Sequence, residues 1–122
     1  MTQPLALVFY QKLLPGSQLA NQLKDINYRV QTFSDSPALM EVARTDGPMI
    51  IFVDLDSAQE DVPALIQKLR QDASTSHLPI VAFSGTEARL PLAQQAGAAL
   101  AVGDNAMLSH LPDVLEQALR IE

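Results

Sequence analysis

MIIFVDLD, Met49 to Asp56, is the stretch that decides the fold. Met49 to Val53 is apolar at every position and shows no alternation, as in a strand buried on both faces of a parallel sheet. The run closes on Asp54. A buried strand that ends in an aspartate is a natural place for a phosphate-accepting carboxylate. Such chemistry also needs an acidic cluster for Mg²⁺ and a lysine for the phosphoryl oxygens. The chain has no Asp or Glu before Asp25, no Lys after Lys68, and no Arg between Arg89 and Arg120.

The same kind of run recurs elsewhere in the chain. LALVFY (Leu5 to Tyr10) and Pro79 to Phe83 are further continuous apolar segments, and Ala99 to Val102 is a weak, small-residue strand. Tyr28 to Phe33 alternates apolar with polar residues, as a less buried strand near a sheet edge does. Amphipathic segments lie between the runs. Gly16 and Ser17 open one that carries Leu19, Leu23 and Ile26 on one side. Ser36 and Pro37 form an N-cap and first-turn pair for a second, with Leu39, Met40 and Ala43 inward and a stop near Asp46-Gly47. Asp61 and Pro63 open a third, carrying Leu65, Ile66 and Leu69. Pro91 lies early in a fourth, which ends at Gly97 in a left-handed cap. Leu108, Leu111, Leu115 and Leu119 mark a last helix. Five strands and five helices in strict alternation predict right-handed crossovers and a flavodoxin-like, three-layer α/β/α fold, with a parallel sheet in the order 2-1-3-4-5. No linker or repeat divides the chain, so residues 1–122 are expected to form one domain.

Composition narrows the function. The 48% of hydrophobic residues suffices for a packed core. A net charge of −6 disfavours a phosphate backbone, so no nucleic-acid partner is expected. Cysteine is absent, which removes disulfide and thiol chemistry. No apolar stretch approaches the length of a membrane span, and MTQPLALVFYQK lacks a basic leader region. A cytoplasmic protein without a membrane partner is expected.

The stretch LIQKLRQDASTSHLPIVAFSG, Leu65 to Gly85, followed by QAGA at Gln95 to Ala98, resembles the receiver domain of bacterial response regulators. The resemblance covers essentially the whole chain. It implies that Asp54 stands at the phosphoacceptor position and Ser84 at the hydroxyl position. Other family positions have departed. The acidic pair after the first strand falls on Phe9 to Gln11, the lysine after the fifth strand falls on or beside Asp104, and the switch aromatic falls near Ala101. Ser57 and Ala58 stand where the family has a proline. The resemblance thus points to a degenerate receiver, a pseudo-receiver.

Asp54, Ser84 and Asp104 should converge at one crevice, because strand carboxyl ends meet there. Asp54 is either a phosphoacceptor or a strand-end carboxylate that accepts backbone N–H groups of the next loop. Asp104 either joins Asp54 and Asp56 as a crevice acid able to attract a cation, or faces solvent or the last helix. Ser84 and Thr86 either bind an anion or cap a helix. His77 and His110 lack paired ligands, so no zinc is expected. Glu60-Asp61 reads as a solvated helix start, and Met107 and Leu108 as candidates for an exposed contact surface. No cofactor is expected, and Asp54 alone makes a poor Mg²⁺ site. The expected function is a non-enzymatic regulatory module of a two-component or phosphorelay pathway. It would act through a protein partner, including self-association to a homodimer over Leu90 to Glu122. The alternatives are a working phosphoacceptor receiver that uses Asp54, or a small-molecule-binding flavodoxin-like domain.

Overall fold

A computed structural model describes residues 3–57 and 59–120. Strands β1 (Leu5–Phe9), β2 (Arg29–Phe33), β3 (Ile50–Asp54), β4 (Ile80–Ser84) and β5 (Leu100–Gly103) form one parallel sheet in the order β2-β1-β3-β4-β5. Helices α1 (Gly16–Asp25), α2 (Ser36–Thr45), α3 (Val62–Gln71), α4 (Leu90–Ala96), α5 (Asp104–Ser109) and α6 (Leu111–Arg120) cover it, with a 3₁₀ turn over Glu87–Arg89 ahead of α4.

Every residue of β1, β3 and β4 is buried, and the period-two geometry of a strand divides them between two cores. Leu7, Phe9, Ile51 and Val53 pack with Leu39, Leu65 and Leu69 on one side. Val8, Phe52, Val81 and Phe83 pack with Leu19, Leu23, Met107 and Leu115 on the other. The alternating β2 lies at one edge and is largely exposed. Each full burial of such a side chain contributes roughly 1.5–3 kcal/mol.

The expected turn signals hold at Asp61, whose side chain accepts the Ala64 N–H, and at Gly97, which caps α4 with φ 116°. Elsewhere local chemistry differs. The N-cap of α2 is Asp35, whose carboxylate accepts the Ala38 N–H at 2.9 Å, while Ser36 is the first helical residue. Ser36 instead binds Glu60 through both its N–H and its hydroxyl, so Glu60 ties its loop to the start of α2 and is not simply solvated. Pro15, not Ser17, precedes α1, and Ile26 falls past its end, 41% exposed. The last helix is two helices, giving six in place of five. Pro112 has no N–H to continue the ladder, and the chain breaks at His110 (φ −128°, ψ 36°) before α6 begins. Met107, in α5, packs into the core, where it is fully buried and not the surface residue its sequence context suggests. Ala58 and Glu122 lie outside the described residues.

Gly16 carries a steric constraint. The Tyr10 ring lies where a Cβ on Gly16 would be, so α1 docks only because that atom is missing. Gly16→Ala is expected to destabilise the fold by about 1–3 kcal/mol in urea titrations. Adding Tyr10→Ala should recover part of the loss, and strict additivity of the two changes would contradict this contact.

Candidate functional site

Asp54 ends β3 and is fully buried. Its Oδ1 accepts the Asp56 N–H at 2.9 Å, which is the loop-capping role open to it from sequence. Its Oδ2 has no hydrogen-bond partner. Burial raises its pKa to about 6. The Asp56 N–H and Lys12 oppose that rise, and the Asp56 and Asp104 carboxylates add to it.

Two residues on, Asp56 sits in the opposite environment. Its Oδ1 accepts the Ser84 hydroxyl at 2.7 Å and pairs with an Arg89 guanidinium N–H at 3.0 Å. Its Oδ2 accepts the Gly85 N–H at 2.8 Å and pairs with Lys12 Nζ at 3.4 Å. Each oxygen thus meets one neutral donor and one cation. Burial pushes the Asp56 carboxyl up, but the Ser84 hydroxyl, the Gly85 N–H and Lys12 outweigh it and hold the group below its ordinary range.

Ser84 ends β4. Besides donating to Asp56, its oxygen accepts the Thr86 N–H at 2.8 Å, so it shapes the turn after the strand and does not cap a helix. The Thr86 side chain caps nothing in the turn that follows. Asp104 opens α5 at the end of β5 and faces the crevice. An ideal Cβ on Gly85 would lie 3.2 Å from its Oδ2 and 3.6 Å from Asp56 Oδ2, so the two carboxylates flank one backbone step. Its Oδ1 is buried without a partner. Burial, then the charge of Asp56, raises its pKa against the pull of Lys12.

The structure therefore gathers Asp54, Asp56, Ser84 and Asp104 at the carboxyl edge of the sheet, and adds two residues that sequence reasoning passed over. Lys12 comes from the connection after β1 and Arg89 from the 3₁₀ turn after β4. The lysine position after the fifth strand is occupied by Asp104, as expected from sequence. Positive charge is absent from the end of β5, but two other loops supply it. The available signal was position: each cation follows a buried strand within a few residues.

Asp54 Oδ2 and Asp104 Oδ1 are the buried crevice carboxylate oxygens left without a partner. Phe9 is buried in the core. Gln11 is engaged between loops, donating to the Ser34 carbonyl and accepting the Gln59 N–H. Both Asp56 oxygens are taken. Among the described residues, no group of three or more His, Cys, Asp or Glu side chains is placed to hold a metal ion, and His77 and His110 join no such group. No helix among them is long and apolar enough to cross a membrane.

Comparison with known proteins adds the fold's relatives. The sequence matches no protein-family model and no curated protein. Solved structures match over nearly the whole chain. The chemotaxis response regulator CheY4 of Vibrio cholerae superposes with a TM-score of 0.83 at 16% identity, covering 97% of this chain and 100% of its own. The receiver domain of sensor histidine kinase PA1611 from Pseudomonas aeruginosa PAO1, with magnesium in its active-site cleft, gives 0.85 at 16% identity, covering 98% and 100%. The BeF3-activated N-terminal receiver domain of RstA from Klebsiella pneumoniae gives 0.81 at 18% identity, covering 96% and 99%. The fold is that of receiver domains.

The environment of Asp54 sets a pH dependence. Its unfolded carboxyl ionises near the ordinary 3.8 and its folded one near about 6. Between those values the folded chain holds more protons, so Asp54 stabilises the fold at low pH and that stability is lost as pH rises through about 6. Urea unfolding is expected to lose on the order of 2–3 kcal/mol of stability between about pH 4 and pH 7 from this group. Asp54→Asn should flatten the profile. An unchanged slope in that variant would mean that Asp54 is not the titrating group.

Proposed function

We propose that the chain is a receiver-like regulatory module of a two-component or phosphorelay pathway, acting through protein contacts without phosphorylation at Asp54. The receiver fold supports the pathway class. The observation that carries the rest is the engagement of the crevice donors. Phosphoryl transfer rests on positioning and on neutralising charge at the transferred oxygens. Here the Ser84 hydroxyl, the Gly85 N–H, Lys12 and Arg89 all converge on Asp56, and the free oxygen of Asp54 is hydrogen-bonded to none of them. On this reading residues 1–122 are one cytoplasmic, non-enzymatic domain with no resident cofactor. Small-molecule binding in the manner of flavodoxin-like proteins draws no support from the loop after β1, where Gly16 is covered by Tyr10.

The contact surface on this reading is α4, β5 and α6. Leu92 and Leu119 are exposed there (51% and 36%), and β5 is half-buried along its length. An apolar self-contact without a phosphate lever should be constitutive.

Two measurements test the proposal. Beryllofluoride with Mg²⁺ should produce no saturable shift of the Asp54 and Ser84 amides. Saturation at low-millimolar concentration or below would favour a working phosphoacceptor. Sedimentation should give one oligomeric state, larger than a monomer, with or without Mg²⁺ and acyl phosphate. A monomer at about 100 µM, a concentration that would populate even a weak dimer, would remove the self-association.

A further inference from the structure

The surroundings of Asp56 are those of an oxyanion-binding site. A hydroxyl, a backbone N–H and two cations come from two separate connections, those after β1 and β4, and aim at one point. Charge-assisted donors in such a set are the strong ones, and their convergence defines a receptor for a small anion with two or more oxygens. The anion that fills it belongs to the chain. The side chain of Asp56 is only 9% exposed and uses both oxygens, whereas the Lys12 and Arg89 side chains are about half exposed and converge on it from the solvent side.

We propose that Asp56 is a built-in occupant of an oxyanion cradle formed by Ser84, Gly85, Lys12 and Arg89, and that it keeps the crevice permanently in its anion-bound arrangement. The idea rests on the reading above and gives it a mechanism. An external oxyanion, whether inorganic phosphate, sulfate or a phosphoryl group, would have to compete with a carboxylate tethered two residues from Asp54. A tethered group competes at an effective concentration far above that of a dilute ligand. The same carboxylate links the loop after β3 to the loops after β1 and β4, so the three move as a unit. Asp54 Oδ2, buried and without a partner, receives none of these donors, all of which are bonded to Asp56.

Removing the occupant should leave the cradle open. Asp56→Ala keeps the backbone N–H that Asp54 accepts and deletes only the carboxylate. Sulfate, titrated against chloride at matched ionic strength and followed at the Gly85 amide, should bind Asp56→Ala saturably, with half-saturation at least about ten-fold below any effect on the wild type. Adding Arg89→Ala should abolish that binding. Asp56→Asn, which fills the cradle without charge, should stay closed to sulfate while losing its hold on Lys12 and Arg89. Should Asp56→Ala fold poorly, sulfate should raise its unfolding midpoint more than it raises that of Asp56→Asn, by linkage to the folded state. A folded Asp56→Ala that responds to sulfate no more than the wild type, or equally with Arg89→Ala, would overturn the proposal and leave Asp56 as a simple ion pair. That failure is separate from failure of the functional reading, which is decided by beryllofluoride on the wild-type chain.

Discussion

Complete burial of β1, β3 and β4 constrains everything else in the molecule. A polar side chain inside those strands would have no partner, and an orphaned polar group costs a few kcal/mol. Polar chemistry is therefore pushed to where the strands run out. Asp54 and Ser84 are the last residues of β3 and β4, in register one step apart, with Asp54 opposite Phe83. Just beyond the strand ends, the Asp56 carboxylate accepts the Gly85 N–H. In a doubly wound sheet this edge is also where the connections from β1 and β5 arrive, which brings Lys12 and Asp104 to the same place.

That constraint also explains what could be read from the sequence. Apolar runs with no alternation identify buried parallel strands, and the alternating run from Tyr28 to Phe33 identifies an edge, so the sheet was legible. Residues at strand ends were legible for the same reason: Asp54, Ser84 and Asp104 follow directly from where each run stops. Lys12 and Arg89 were not, because their reach depends on the paths of two loops, one closing onto α1 and one folding into a 3₁₀ turn. No periodicity encodes those paths. The capping of α2 by Asp35 was missed because two adjacent residues, Asp35 and Ser36, both have capping chemistry. The break at His110 was missed because Leu108 and Leu111 keep helical spacing across it, and Pro112 decides the matter locally.

Asp54 and Asp56 show how environment assigns roles to identical side chains two residues apart. Both are removed from water, and in both desolvation is the largest influence on ionisation. Asp54 receives one backbone N–H and faces two other carboxylates, so its charge is costly. Asp56 receives four donors, so its charge is favoured. Below about pH 6, environments that push two carboxyl groups apart in this way separate the proton-holding group from the charged one. Here the charged carboxylate is the one already bonded to every donor in reach. The group with a free oxygen is the one for which ionisation is expensive. A carboxylate that is to react needs donors around its free oxygen, and in this crevice those donors are bonded to Asp56.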